Sequence, residues 1–360
     1  MRENFELLQI FADAGTLVNT SGGYTNANDG SSQPFAGAHT LDAALKVFYD
    51  TELLENARAE MFYAQFAKKQ PLPAGHGRTV EWRKWNTFDK APQLQEGVIP
   101  TGQKFGMSSR TGVINQYGTY ASIADVLEMR AYDPIILGAT EEMGASAAET
   151  QETLIRDALL VNPNVMYCDN VELATGAVTS TPTGCGQMEA SATHMSLLTP
   201  DTVAKAVTFL KKNRVPTIGG KYYAVIHPSV AYDLRRSKDW IEAHKYAAVS
   251  EIFNGEIGEL HNCRFIENVF APVLGGEYCN KAGTLTYATY FFGRDAFGII
   301  DPEGGALEMI VKDKSQVGGP LNQFSTVGYK LETNGATILY PERLLRVMSC
   351  STFSGTDQEN

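Results

Sequence analysis

Between Gly77 and Asp125 the chain carries two β-prone stretches joined by a long loop, with no core of their own. The first, Arg78 to Trp85, alternates its side chains at period two. The second, Thr111 to Ser122, is also strand-like. Between them, Gln93 to Gln103 is rich in Gly, Pro and amides, as a loop should be. A lone two-stranded hairpin is marginal in water. Trp82 and Trp85 on such a hairpin need cover, either from their own domain or from a neighbouring subunit. The residues alone leave both readings open.

Charge divides sharply around this ribbon. From Arg78 to Arg110, six basic residues (Arg78, Arg83, Lys84, Lys90, Lys104, Arg110) stand against three acidic ones (Glu81, Asp89, Glu96), a net of +3. From Val126 to Leu160, seven acidic residues, among them Glu141, Glu142 and Glu149, stand against Arg130 and Arg156, a net of −5. Opposite charge on adjacent modules can orient contacts between subunits, although exposed pairs add little affinity. Trp82, Arg83, Lys84, Trp85, Glu141, Glu142 and Glu149 are therefore the candidate intersubunit residues. An ordinary solvated helix face is the competing account of the three glutamates.

A chain of 360 residues suggests about two domains, and 43% hydrophobic content supports a real core. A net charge of −11 argues against a nucleic-acid-binding surface, because phosphate contacts need clustered Lys and Arg. Five dispersed cysteines (168, 185, 263, 279 and 350), none in Cys-x-x-Cys, read as free thiols of a reducing compartment. The first ten residues lack a basic-then-apolar signal pattern, and no apolar run approaches the ~18 residues of a membrane span. The expectation is a soluble protein made in a cytoplasm, with no membrane partner. Asn19-Thr20-Ser21 matches a glycosylation sequon and is read as chance without a secretion signal.

Along the chain, residues 2–12 suit a short amphipathic helix, and 19–38 have linker composition. Thr40 can cap a helix to about Lys69, with Lys68 and Lys69 at its end and Pro71 stopping it. Asp133-Pro134 reads as a helix start, with the helix running to Leu160. Its apolar stripe is thin, which suits a helix laid across a sheet or between subunits. Residues 169–196 read as loop. Thr199-Pro200-Asp201 opens a helix to about Arg214, Tyr222–His227 is a buried strand, and Pro228 starts another helix. Strands then dominate: Cys263–Val269, Thr284–Phe292, Phe297–Ile300, Leu307–Val311 and Gly328–Val347 with turns. Helices and strands are segregated, which predicts an α+β fold with antiparallel sheets.

Local catalytic signatures are missing. There is no Gly-x-Gly-x-x-Gly turn, phosphate loop, His-Glu-x-x-His or Gly-x-Ser-x-Gly. Cys185 in a Gly-rich turn and His227 before Pro228 both suit structural roles better than catalytic ones. No catalytic, cofactor-binding or metal-ligating residue is assigned, and no cofactor is expected.

The order of these parts resembles the major capsid proteins of tailed phages with the Hong Kong 97-type fold, more narrowly the N-four-type phage major capsid family. The resemblance rests on Gly77–Trp85, Leu94–Pro100, Gln116–Asp125, Val225–Leu234, Phe253–Glu259, Gly293–Gly298 and Gly319–Lys330, in that order. It implies an N-terminal arm and helix (1–69), an extended β-hairpin loop (70–125), and a spine helix with the start of a peripheral domain (126–198). It further implies an axial domain (199–292), then peripheral-domain strands and a C-terminal tail (293–360). Identical chains would build hexamers and pentamers of an icosahedral shell around double-stranded DNA, in a host bacterial cytoplasm. Scaffold, portal and decoration proteins would be partners, and DNA would be enclosed without sequence-specific binding. No position assigns a covalent crosslink. An encapsulin-like compartment shares this fold, and a cytoplasmic α+β enzyme is the alternative of another class.

Overall fold

The computed structural model describes residues 62–73, 75–86, 88–91, 93, 102–130, 135–237, 240, 256–275, 285–303, 307–317, 321–355 and 357–360. The helix expected at 2–12, the linker at 19–38, most of the helix expected at 40–69 and the Asp133-Pro134 start lie outside the described residues.

The strand Thr286–Phe292 is buried at every position. A continuous apolar run of this kind belongs to a strand covered on both faces. It lies inside a seven-stranded sheet. Along the sheet the order is β10 (Glu256–Leu260), β11 (Cys263–Glu267), β9 (Tyr222–Ile226), β13 (Thr286–Phe292), β18 (Leu344–Ser349) and β5 (Val165–Tyr167). The short β12 (Val273–Leu274) also pairs with β13. Alternate residues of β13 serve the two faces. Tyr287 and Phe291 pack with helix α4 (Pro200–Lys212) and helix α5 (Pro228–Arg236), through Val203, Ala206, Leu210, Val230 and Leu234. Tyr290 and Phe292 face the other way, onto Ile155 and Leu159 of the long helix α3 (Ile135–Leu160) and Tyr63 of the one-turn helix α1 (Tyr63–Phe66).

Helix α3 has 26 residues and spans about 39 Å at 1.5 Å per residue. It ends at Leu160, as the sequence predicts. Its N-terminal half lies on a second sheet, ordered β15 (Leu307–Lys312), β16 (Phe324–Thr333), β4 (Asn115–Ala124). Ala139, Met143 and Ala147 meet Met309, Val311, Val327 and Leu331 there. The Tyr329 hydroxyl lies 3.2 Å from Ser146 Oγ and 3.1 Å from Thr150 Oγ1. Helix α2 (Asp125–Arg130) follows β4 directly. At the far end, Arg346 Nη1 donates to the carbonyl of Leu160 at 2.5 Å, and Asn162 Nδ2 donates to that of Leu344 at 2.6 Å. A cation at the negative end of the helix dipole, bonded to an otherwise orphan carbonyl, stabilises that terminus.

The local start signals work as their chemistry requires. Thr199 Oγ1 accepts from Thr202 N at 3.3 Å, which caps α4. His227 Nδ1 accepts from Ser229 N at 3.2 Å, which caps α5.

Several expectations need correction. The helix expected to reach Lys69 ends at Phe66, and Lys68–Leu72 form strand β1, parallel to β14 (Phe297–Pro302). Residues 67–69 follow tertiary pairing here rather than helix propensity. The strand expected at 111–122 breaks at Ile114. Residues Met107–Val113 form β3 and pair with β2 (Thr79–Trp85), whereas β4 pairs with β16. The stretch expected to be a loop at 169–196 contains a small antiparallel sheet of β7 (Val178–Ser180), β6 (Asn170–Glu172) and β8 (His194–Ser196). Buried Asn170 organises it, donating to Ser180 Oγ at 2.8 Å and Gln187 O at 3.0 Å. Strands of three residues carry too little periodicity to show in sequence. The sheets are also not purely antiparallel, since β11–β9, β18–β5 and β1–β14 are parallel. The central sheet crosses the divisions expected at 198/199 and 292/293, because it takes in β5 and β18.

The residues after β18 dock on the body. Ser351 Oγ donates to Ser229 O and to Asp233 Oδ2, both at 2.8 Å. Asp357 Oδ2 accepts from Ser229 Oγ and Tyr287 Oη, both at 2.5 Å.

The expectation of five free thiols also fails at Cys185. Cys168, Cys263 and Cys350 are buried thiols, but Cys185 is disulfide-bonded. Scattered spacing conceals spatial proximity, so pairing is not legible from sequence. Alkylation after denaturation without reductant should label Cys168, Cys263 and Cys350 and spare Cys185. Peptide mass spectrometry reads this, and labelling of Cys185 would contradict the bonded state.

Candidate assembly surface

The arm is the ribbon β2–β3, paired from Thr79 with Val113 to Trp85 with Met107. The amide of Ile114 donates to Arg78 O at 2.8 Å and closes its base. Beyond Trp85 the backbone pairing continues with Asn86 N to Gly106 O at 3.0 Å. Because strand side chains alternate, the ribbon has two faces of different character.

One face carries Val80, Trp82 and Lys84, and it lies on the chain's own body. Trp82 is half-buried. Its ring packs so closely on Gly112 and Gly298 that an added Cβ would stand 2.8 Å and 3.3 Å from it. These are the two glycines whose lack of a side chain the arm's placement requires. Lys84 Nζ bonds Glu342 Oε1 at 2.7 Å and stands 4.6 Å from the centre of the Tyr340 ring. Arg343 covers the same ring at 3.8 Å. Burial pushes the Glu342 carboxyl up, but the Lys84 hydrogen bond and charge outweigh it, and its pKa falls below the ordinary value. Trp82, Lys84, Arg110, Tyr340 and Glu342 line a cleft of about 250 Å³ between arm and body.

The opposite face carries Glu81, Arg83 and Trp85 toward solvent. Glu81 is held below the ordinary carboxylate range by a hydrogen bond from Ser109 and by the Arg83 charge. The Arg83 guanidinium lies 3.3 Å from Glu81 Oε2. At the end of this face the aromatic rings of Trp85 and Phe105 stack at 4.3 Å, and those of Phe105 and Phe88 at 5.3 Å. All three are well exposed, at 60%, 58% and 58%, and Met107 beside them is 47% exposed. An apolar cluster this open on a polar ribbon marks an interaction site.

The remaining candidates lie on α3. Glu141, Glu142 and Glu149 are exposed, on the side away from buried Thr140, Gly144, Ala147 and Ala148. The structure therefore separates the seven sequence candidates. Trp82 and Lys84 are engaged within the chain. Arg83, Trp85 and the three glutamates face outward. Phe88, Phe105 and Met107 belong with Trp85 but escaped notice in the sequence, since Phe88 and Phe105 lie outside the alternating strand. Their aromatic character within a Gly- and Pro-rich loop was the available signal.

Neither residue considered for catalysis is placed for it. Cys185 is disulfide-bonded. His227 caps a helix, with burial lowering its pKa and the Asp357 charge opposing that shift.

The chain belongs to the phage capsid protein family, whose model matches residues 109–337, from β3 to β17 (Thr337–Ile338). No curated protein matches it. Among solved structures, it is similar to the cyanophage Pam1 capsid subunit, with a TM-score of 0.60 at 11% identity, over 92% of this chain and 99% of that one. It is similar to the capsid of Ralstonia phage GP4 with a TM-score of 0.58 at 12% identity, over 94% of this chain and 100% of the other. The SrpI encapsulin of Synechococcus elongatus PCC 7942 gives 0.50 at 11% identity, over 92% and 95%. At such identities the likeness is one of fold, the α+β Hong Kong 97-like capsid fold. Family and fold together make the protein a major capsid protein, a structural component of the virion shell.

The two tryptophans should behave differently in the isolated subunit. Trp82→Ala should destabilise it by roughly 2–4 kcal/mol in denaturant unfolding, through lost burial and packing. Trp85→Ala should stay within about 0.5 kcal/mol, as exposed positions do. Equal losses would contradict the division of the ribbon into two faces.

Proposed function

We propose that copies of this chain close into an icosahedral head of pentamers and hexamers around double-stranded DNA, assembling in a bacterial cytoplasm with scaffold and portal proteins and accepting decoration proteins. The observation that carries this is the exposed Trp85–Phe105–Phe88 stack on an arm whose other face is already occupied by its own body. A patch on one part of a chain that meets a different part of the next copy is a heterologous contact, which closes only in rings or shells. We assign residues 70–125 to the intersubunit arm and α3 to the spine. In this reading residues 199–292 form most of an axial unit, with β5 and β18 completing its sheet. The arm's +3 and the −5 of residues 126–160 favour attraction between Arg83 and the Glu141, Glu142 and Glu149 face of a neighbour. The net charge of −11 suits a container that must not hold its DNA tightly. An encapsulin-like shell shares the fold, but the family match to phage capsid protein favours packaged DNA over protein cargo.

Purified protein, with a scaffold partner supplied if needed, should give uniform closed particles of tens of nanometres by electron microscopy. Phage-derived particles should protect double-stranded DNA from nuclease. Trp85→Ala with Phe105→Ala should abolish the particles while leaving a folded subunit by circular dichroism. A buried aromatic removes roughly 150–250 Å² from water, so each loss weakens a contact by a few kcal/mol, repeated at every interface. Normal shells from the double variant would refute the role of the stack.

Salt separates the electrostatic part. Charges are screened beyond ~10 Å at 0.1 M ionic strength, so light-scattering assembly rates should fall as salt rises. Arg83→Glu should slow assembly more than reversal of Glu359 in the tail. Equal effects would mean that net charge alone matters.

A further inference from the structure

The most buried carboxylate of the described structure lies on α3. Glu152, in the C-terminal half of α3, is completely buried. It points at Phe62 and Tyr63. The backbone amide of Phe62 donates to its Oε1, and that of Tyr63 donates to Oε1 at 3.3 Å and Oε2 at 3.2 Å. These are the N-terminal amides of helix α1, which has no side-chain cap of its own. A carboxylate from another helix supplies the missing acceptor.

Among the described residues, the ionisable groups that face this site from the packed elements are Tyr63 on α1, Tyr290 on β13 and Arg156 on α3. Tyr63 is buried, its hydroxyl has no hydrogen-bond partner, and burial holds its pKa well above the ordinary value. Tyr290 donates its hydroxyl to Arg156 O at 3.0 Å, and Arg156 Nε is bonded to Asp157 at 2.9 Å. Among the described residues, none forms a salt bridge with Glu152. Among the described residues, the hydrogen bonds that meet its charge come from these amides.

We propose that Glu152 is a protonation-sensitive latch, which ties the chain at Phe62–Tyr63 to the spine helix when protonated and loosens when ionised. Protonated, the group keeps an oxygen that accepts from the amides and loses the charge that burial penalises. Ionised, it gains by moving into water, which requires the amides to be released.

The direction of the effect follows from burial, which raises the Glu152 pKa to about 7 from 4.5 against the opposing pull of the two amides. A raised carboxyl pKa means that the latched state binds the proton more tightly than the open one. Its contribution is fully present below pH 4.5 and is lost as pH rises through about 7. Between pH 5.5 and 8.5 the latched-to-open ratio should fall about thirtyfold, mostly below pH 7.

Hydrogen–deuterium exchange on the full chain tests this, with rates corrected for intrinsic pH dependence. Protection of the Phe62 and Tyr63 amides should drop about thirtyfold from pH 5.5 to 8.5, mostly below pH 7 and levelling off above it, while the amides of β13 stay constant. Glu152→Gln keeps the acceptor oxygen and removes the titration, so its profile should be flat and protected. A flat wild-type profile, or a Gln variant that follows the wild type, would overturn the latch. If the Gln variant folds poorly, the wild-type profile alone decides: a fall that levels off near pH 7 at these amides supports the latch, and its absence refutes it. Shell formation does not enter the measurement, so the two readings fail separately.

Discussion

Helix α3 lies on two sheets at once, and the arrangement of the molecule depends on that packing. Its first half is held by Met309, Val327 and Leu331 of one sheet, and its second half by Tyr290 and Phe292 of the other. A single helix of 26 residues packed on both sheets joins them. The small residues Gly144, Ala147 and Ala148 let it approach closely, and Arg346 from the central sheet holds its end through the Leu160 carbonyl. This arrangement explains the thin apolar stripe. Part of the contact surface comes from alanines, glycine and hydroxyls alongside Met143, Ile155 and Leu159, which sequence periodicity reads as weak.

The arm depends on the same frame. Strand β4 is an edge strand of the β15–β16–β4 sheet, and its continuation through Ile114 becomes β3 of the ribbon. The ribbon is therefore braced by a sheet packed on α3, and Trp82 is clamped between Gly112 and Gly298. A two-stranded ribbon would otherwise fray in water. Holding one face on the body presents the other, with Trp85, Phe105 and Phe88, in a defined direction. That pre-organisation reduces the ordering cost of a contact between subunits.

Much of the fold was legible because local chemistry and tertiary context agree. Thr199 and His227 cap the helices that follow them, and the apolar runs at 222–226 and 286–292 are the central strands. Where they disagree, the sequence misled. Lys68 and Lys69 look like a helix end but pair with Gly298 and Ile299. The strands of the 170–196 insertion are too short to show a period, and they exist through the hydrogen bonds of a single buried Asn170. The bonded state of Cys185 depends on proximity that no spacing encodes.

The candidate surface divides in the same way. The sequence by itself determined that a cationic, aromatic ribbon precedes an acidic helix, because composition and alternation are local properties. It also determined the α+β class and the order of parts that the capsid family shares. Only the tertiary structure decided that Trp82 and Lys84 serve their own chain while Trp85 does not, since strand parity needs a body on one side before it means inside or outside. It alone added Phe88 and Phe105 to the stack, and it alone turned Glu152 from one more acidic residue of a long helix into a buried acceptor. Burial and convergence of distant residues are properties of packing, and they arise only when Phe62 and Glu152, ninety residues apart in sequence, are brought together.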